Sequence, residues 1–156
     1  MTGHLQKELK QEKPFTSLQQ EVVLNVMRTA GALRQGTSAL LRGHDISPPQ
    51  YNILRILRGA GEKGLPSSEV GERLVTRDPD VTRLLDRLEK RGFASRDRSS
   101  SDRRVVTARI TKKGIELVNR LDSPVYDLHV SQLAHMKKKE MRALIDLLEK
   151  ARGESE

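Results

Sequence analysis

Apolar residues recur at three- and four-residue steps along the first third of the chain, from Leu18 to Leu40. This spacing predicts an amphipathic helix that ends near Arg42. Thr16 and Ser17 are each followed three residues later by a glutamine, the capping-box spacing, which places the start of the helix there. A helix of this length would run for about 39 Å. Because that outreaches a small core, we expect part of the helix to contact another chain.

Three shorter helices follow, and the last two form a motif. Ser47 and Pro48 begin a helix that is apolar on most sides and is therefore expected to be buried. Residues 67–74 form the next, short helix. Asp78 and Pro79 then give a strong start signal, a capping carboxylate before a proline. The helix they begin has a single apolar stripe, made of Val81, Leu84, Leu85 and Leu88. A short helix, a turn and a longer one-sided helix predict a helix-turn-helix.

The period of the pattern changes to two after Gly92. Residues 93–98 and 104–110 are predicted to be strands, joined by the polar turn 99–102. A hairpin directly after a helix-turn-helix is a wing, so the pattern indicates a winged helix-turn-helix.

Two more helices are predicted after the wing. Thr111 caps the first, whose apolar residues recur at near-heptad spacing. Pro124 lacks an amide donor and clashes with the preceding turn, so we expect a kink or a break near Ser123. The apolar residues of the last helix are Met141, Leu144, Ile145 and Leu148.

The fold class predicted from these elements is mainly α with a small β-wing. The chain divides into a flexible tail (1–14), an N-terminal helix (15–46), a winged helix-turn-helix lobe (47–111), C-terminal helices (112–150) and a second tail (151–156).

Composition excludes several classes of protein. The 156 residues include no cysteine, which excludes disulfide frameworks, cysteine-based zinc fingers, iron–sulfur clusters and thiol catalysis. No apolar stretch approaches the roughly 18 residues of a membrane span. The N-terminus lacks the apolar core of a signal peptide, so we expect a soluble, cytoplasmic protein.

The net charge points to a polyanionic partner. The chain carries a formal charge of +8 and has a pI near 10.0. The segment from Arg77 to Lys113 contains twelve lysines and arginines but only six acidic residues. About a quarter of the chain therefore holds most of the net positive charge. Aromatic residues make up only 3%, too few to stack unpaired bases, so if the partner is a nucleic acid, a duplex is favoured over single strands. A solvated charged surface is the alternative interpretation.

The outward face of the helix after Asp78 suits a major groove, which accepts one helix. Arg83 is the best candidate for a bidentate contact with guanine, and Thr82 could meet a thymine methyl group or a phosphate. Asp80 could accept a hydrogen bond from cytosine or simply orient Arg83. The alternative is a solvated helix face with i,i+4 pairs such as Asp86–Lys90.

The wing suits the minor groove. Arg103 and Arg104 can enter a narrow minor groove, whose negative potential attracts guanidinium groups. Asp102 lies two residues before Arg104, on the same face of the hairpin, and can hold the Arg104 side chain. The alternative is an ordinary surface ion pair.

These residues resemble the central region of the MarR family, the multiple antibiotic resistance type of regulator. The matching segments are VTRLLDRLEKRG in the helix after Asp80, DRRVV in the wing and ITKKG at the start of the following helix. The arrangement of one long helix before the lobe and two after it also fits, over residues 15–150. The chain departs from the family in its strand start Phe93-Ala-Ser and in Lys137, which stands where a Ser or Thr often caps the last helix.

The resemblance implies a homodimer in which residues 15–46 and 112–150 of two protomers interlock. It implies further that residues 78–91 lie in the major groove of a pseudo-palindromic operator and that Arg104 enters the flanking minor groove. The predicted DNA-binding residues are Asp78, Pro79, Asp80, Thr82, Arg83, Arg87, Arg98, Asp102, Arg103 and Arg104.

Members of this family often release DNA when a small anionic aromatic effector enters a crevice beside the dimer helices. The candidate lining residues are Met27, Arg28, His44 and Tyr51. The alternative is that these four are ordinary core and surface residues. No cofactor or metal site is predicted, because the four histidines show no i,i+4 pairing and have no thiolate support.

The function predicted is a homodimeric, sequence-specific regulator that binds double-stranded DNA and represses transcription until an effector releases it. Two alternatives remain, a helical protein-interaction module and a non-specific DNA-binding protein without effector control. An enzyme is not indicated, since the sequence has no nucleophile–base pair, no Gly-rich phosphate loop and no metal-spacing motif.

Overall fold

A computed structural model describes residues 4–77 and 80–153 of the chain. Its fold is mainly helical with a small antiparallel sheet, as predicted. The helices are α1 (His4–Glu8), α2 (Leu18–Arg42), α3 (Pro48–Ala60), α4 (Ser67–Glu72), α5 (Val81–Lys90), α6 (Lys112–Gln132) and α7 (Lys138–Ala151). The strands are β1 (Leu65–Pro66), β2 (Ala94–Arg98) and β3 (Val106–Ile110).

The predicted helix starts are confirmed where side chains cap them. The Ser17 hydroxyl accepts a hydrogen bond from the Gln20 backbone, so α2 begins at Leu18. Ser47 and Gln50 form a complete capping box at the start of α3, with Pro48 at the first helical position. These local contacts satisfy amide groups that a helix start leaves without intrahelical partners.

The core lies between α3, α5, α6 and the sheet. Leu54 and Leu57 of α3 are fully buried, as are Leu85 and Leu88 of α5. Leu121 of α6 joins the same cluster. The stripe predicted on the helix after Asp78 therefore faces the core through Leu85 and Leu88, while Val81 and Leu84 are partly buried at its edge.

The sheet has three strands in the order β1–β3–β2, so it contains one strand more than predicted. Ser95 of β2 pairs with Arg109 of β3, and Leu65 of β1 pairs with Ala108 on the other side of β3. Gly64 leads into β1 at a φ of 66°. A side chain there would collide with the Ala108 carbonyl, so glycine lets β1 approach β3 closely. A two-residue strand has too short a pattern to be predicted from sequence.

Residues 4–8 form a helix, so the prediction of a flexible tail over 1–14 is wrong for this segment. Leu5 is only 3% exposed, and Glu8 forms an ion pair with Arg28 of α2 over 3.5 Å. Burial of Leu5 stabilises α1 against the rest of the protein. The helix was not predicted because five residues are too few to show a helical period.

The helix after the turn spans Val81–Lys90, with Asp80 as its N-cap. The Asp80 carboxylate accepts a hydrogen bond from the Arg83 backbone at 3.2 Å. Asp80 was predicted as a DNA-contacting residue and not as a cap, and the carboxylate performs this role because it reaches an amide of the first turn. Asp78 and Pro79 lie outside the described residues.

Helix α6 is continuous from Lys112 to Gln132, so a break near Ser123 does not occur. Leu121 and Val125 are buried on either side of Pro124, and their packing holds the helix on the core where one amide donor is missing. No helix in the described part of the chain is long and apolar enough to cross a membrane.

Candidate nucleic-acid interface

One face of α5 is exposed and polar. Leu85 and Leu88 anchor the opposite face in the core, which leaves the side chains of Thr82, Arg83 and Arg87 in solvent. Arg83 and Arg87 are one turn apart, and the Arg83 side chain is 66% exposed. Like charges at this spacing repel each other, so the pair does not stabilise the helix by itself.

Asp80 caps α5 and also lies beside Arg83. Its carboxylate Oδ2 is 4.0 Å from Arg83 Nη1. The carboxylate thus caps the first turn of α5 and lies within ion-pair distance of the Arg83 guanidinium, while its suggested role in orienting Arg83 on DNA stays a prediction.

The wing holds Arg104 as the spacing predicted. Arg104 Nε donates to Asp102 Oδ1 over 3.2 Å and Nη2 approaches Oδ2 at 3.4 Å, while the Arg104 backbone donates to Oδ1 over 3.0 Å. The backbone bond first, and the guanidinium second, hold the pKa of the Asp102 carboxyl below its usual value. The Arg104 side chain is nonetheless 92% exposed, so its guanidinium is oriented but not covered.

Three further predicted cations are exposed without an ion pair among residues 4–77 and 80–153. They are Arg87 on α5, Arg98 at the end of β2 and Arg103 at the wing tip. They are the groups best placed to neutralise phosphates, because they would lose no internal partner on binding.

Arg96 was not predicted as a site residue, and the structure places it between α5 and the wing. Its guanidinium contacts Glu89 through Nε at 3.0 Å and Nη2 at 2.6 Å, and Nη2 also pairs with Asp86. Partial burial opposes the charged form, but the hydrogen bonds to Glu89 and Asp86 outweigh it and raise the pKa of Arg96. Asp86 therefore pairs with Arg96, and the suggested Asp86–Lys90 pair is not observed.

Three other cations of the basic segment, residues 77–113, contact neighbouring elements of the lobe. Arg91 and Lys113 lie over the Phe93 ring at 4.9 and 4.8 Å from its centroid. Arg91 also pairs with Asp45 in the turn after α2, at 3.6 Å. A third, Arg109, donates to Asp97 over 2.7 Å. Some of the cations therefore stabilise the fold and are already engaged within the protein. A count of charges along the sequence does not separate these cations from the exposed ones.

The four predicted effector residues do not come together in this chain. Tyr51 lines a cleft of about 550 Å³ between α3 and α6, but Met27, Arg28 and His44 are exposed elsewhere. The cleft is lined by Tyr51, Arg55, Arg58, Asp122, Ser123, Val125, Tyr126 and His129. Burial raises the pKa of the Tyr51 phenol. Arg58 crosses the cleft and binds the Asp122 carboxylate through two bonds of 2.7 and 3.0 Å.

The sequence is similar to those of known transcriptional regulators. The MarR family model matches residues 46–106. The HTH-type transcriptional regulator TtmR of Methylorubrum extorquens (strain PA1) is 34% identical over 138 residues, which are 88% of this chain and 69% of the relative.

Solved structures of transcriptional regulators have the same fold as this chain. A MarR transcription factor from Planctomyces limnophilus is 36% identical, with a TM-score of 0.68 over 86% of this chain and 98% of that chain. The PcaV transcriptional regulator from Streptomyces coelicolor, solved in complex with its natural ligand, is 26% identical, with a TM-score of 0.69 over 81% of this chain and 91% of that one. With a winged helix that exposes arginines on α5 and on the wing, the chain belongs to the MarR family of DNA-binding transcriptional regulators.

Proposed function

We propose that the chain is a homodimeric repressor that reads a pseudo-palindromic duplex through α5 and the wing and releases it when an effector binds. The observation that carries the proposal is the exposed pair of reading groups, Arg83 on α5 and Arg104 on the wing, each beside a carboxylate that orients it. Charge-assisted contacts of this kind suit guanine edges in the major groove and narrow minor grooves.

The helices outside the lobe support a dimer. Helix α7 has no buried residue among those the structure describes, although it carries several leucines and Ile145. A free 14-residue helix is only marginally stable in water, so its apolar side needs a partner. Val22, Val23 and Met27 on α2 are also exposed. A second copy would cover both surfaces and set the two reading helices roughly 34–36 Å apart, one turn of DNA.

The cleft between α3 and α6 supports control by a small anionic aromatic effector. Tyr51 and Tyr126 supply apolar ring surface, and the exposed Arg55 supplies a positive charge. The cleft joins a helix of the DNA-binding lobe to a helix of the proposed dimer unit, so a ligand here could change the angle between them. PcaV was solved with its natural ligand. Met27, Arg28 and His44 remain predicted effector contacts, although none of them lines this cleft.

Selection from a random pool of duplexes, with and without candidate phenolic acids, tests the proposal. We expect a two-fold symmetric consensus and a loss of binding with the active acid. Recovery of duplexes without a consensus would favour non-specific binding. No recovery of any duplex would favour a protein-interaction module.

Replacing Arg83 by alanine should weaken binding to the selected duplex by about 1–3 kcal/mol and relax the preference at one base pair of each half-site. The reason is loss of a bidentate contact to a base edge. The measurement is a binding titration against all four base pairs at each position. Arg87→Ala removes the same charge one turn further along α5 and should weaken all duplexes alike. Unchanged selectivity in Arg83→Ala would show that Arg83 does not read bases.

Replacing Arg104 by alanine should weaken binding most on duplexes with A·T-rich flanks, because a narrow minor groove attracts the guanidinium most strongly there. The measurement is the ratio of the affinities for A·T and G·C flanks around one core sequence. Arg103→Ala is the matched control, since Arg103 has the same charge without the Asp102 contacts and should weaken both duplexes equally. A ratio that Arg104→Ala leaves unchanged would contradict the minor-groove assignment.

A further inference from the structure

We infer that Arg96 is a positioning residue that fixes the wing relative to the reading helix α5, so that Arg83 and Arg104 engage one duplex together. The inference rests on the proposed DNA-binding function. Arg96 itself is not expected to contact DNA, because its side chain is only 20% exposed and its Nε and Nη2 are bonded to carboxylates of α5.

The contacts of Arg96 add a charged side-chain link between α5 and the wing, which also share the core through Leu88 and Ala94. Where α5 passes into β2, the Phe93 backbone donates to Leu88 over 2.9 Å. Arg96 lies three residues further along, halfway up the stem of the wing, where it faces Ala108 of β3 across the sheet. From there it reaches Asp86 and Glu89, which lie one turn apart on α5. This attachment to α5 at mid-stem, together with the pairing of β1 with β3, limits the rotation of the hairpin about its base.

The position of the wing tip depends on that stem. Arg104 lies in the connection between β2 and β3, beyond the last strand pair, Arg98 with Val106. Within the connection, Ser99 bonds to Val105 and Asp102 holds Arg104, so the tip keeps its own shape. Its placement against α5 is therefore set by the stem, and a small rotation of the stem moves the guanidinium of Arg104 away from the groove.

The same contacts neutralise charge beside the DNA-binding face. Asp86 and Glu89 are partly exposed on the helix that carries Arg83 and Arg87. Without Arg96 their two carboxylates would repel phosphates whether or not the wing is engaged. This repulsion and the positioning effect can be separated, because only the positioning effect requires Arg104.

A double-mutant cycle between Arg96→Gln and Arg104→Ala makes the separation. On a duplex with A·T-rich flanks, we expect the interaction of the two sites to be about tenfold in affinity, with Arg96→Gln costing far less once Arg104 is absent. Arg96→Gln alone should also lower the ratio of A·T to G·C affinities, as Arg104→Ala does. Equal losses from Arg96→Gln in both backgrounds, with an unchanged flank ratio, would overturn the inference.

Two further variants guard against a loss of folding. Glu89→Gln changes the partner on α5 and weakens two of the three contacts of Arg96. We expect it to lower the flank ratio as Arg96→Gln does. If Arg96→Gln does not fold, the flank ratio of Glu89→Gln tests the inference. Arg142→Gln removes one exposed positive charge on α7, outside the DNA-binding lobe, and should leave the flank ratio unchanged. If the wild-type protein binds no duplex, the proposed function fails and the inference with it. If it binds and the Arg96 and Glu89 variants keep the wild-type flank ratio, only the inference fails.

Discussion

Raising the salt concentration from 50 to 200 mM should weaken operator binding by about 10³-fold or more. Each phosphate that a lysine or arginine neutralises releases condensed counterions, so the affinity falls with a slope of about −0.9 per contact in a double-logarithmic plot. A dimer that makes about six such contacts would have a slope near −5, which corresponds to this loss over a fourfold change in salt.

The structure indicates which groups would supply these contacts. Arg87, Arg98 and Arg103 are exposed, and none of them has an ion pair within the described ranges. Three contacts in each of two protomers give the expected slope. Fluorescence anisotropy titrations at four or five salt concentrations would measure it.

A matched variant assigns the slope to named side chains. Arg103→Ala in both protomers should make the slope shallower by about 2, whereas Arg142→Gln, on α7 outside the DNA-binding lobe, should leave it unchanged. A loss of less than about tenfold over the same range of salt would contradict the proposal that phosphate contacts supply most of the affinity.

Local patterns were sufficient to predict most of the helices, the two longer strands and the contact between Asp102 and Arg104. The capping box of Ser47 and Gln50, the stripe that ends at Leu88 and the pair of Asp102 and Arg104 all depend on residues within a few positions of one another. Contacts of this kind recur in any protein with the same spacing, so they can be recognised in a single sequence.

The remaining features depend on contacts between distant segments. Arg109 bonds to the Glu62 carbonyl 47 residues away, and Arg58 meets Asp122 across 64 residues. No spacing rule connects such pairs, so the cleft and the third strand could not be derived from sequence. Arg96 lies only seven residues from Glu89, but a helix end and a strand start separate them, and their contact depends on how the chain turns at Gly92.

The basic segment illustrates the consequence for function. The sequence distributes twelve cations between Arg77 and Lys113 without distinguishing among them. In the structure Arg96 is engaged by two carboxylates and Arg91 by Asp45, while Arg83 and Arg104 extend into solvent beside one carboxylate each. The engaged cations hold elements of the lobe together and the extended ones remain exposed, so the proposed DNA-binding surface uses fewer cations than the charge count suggests.

Replacing Ile145 by glutamate should convert the protein to a monomer and weaken operator binding by about 10²–10⁴-fold. Ile145 lies on α7, is 53% exposed in the isolated chain and has apolar neighbours one turn away in both directions. In the proposed dimer it would be buried against the partner, where an unpaired carboxylate is strongly unfavourable. A monomer would bind a half-site through a single α5 and wing. It would lose the gain in affinity that comes from linking two such DNA-binding lobes.

Light scattering or sedimentation would give the mass of the variant, and titrations with full and half operators would give its affinities. The full operator should lose most of its advantage over the half operator, while affinity for the half operator stays at the wild-type level, because Ile145 lies outside the DNA-binding lobe. Arg142→Gln changes the net charge by the same amount on the polar side of α7 and should remain dimeric. A wild-type protein that sediments as a single chain at concentrations where it binds its operator, or an Ile145→Glu variant that stays dimeric, would show that α7 does not join two protomers.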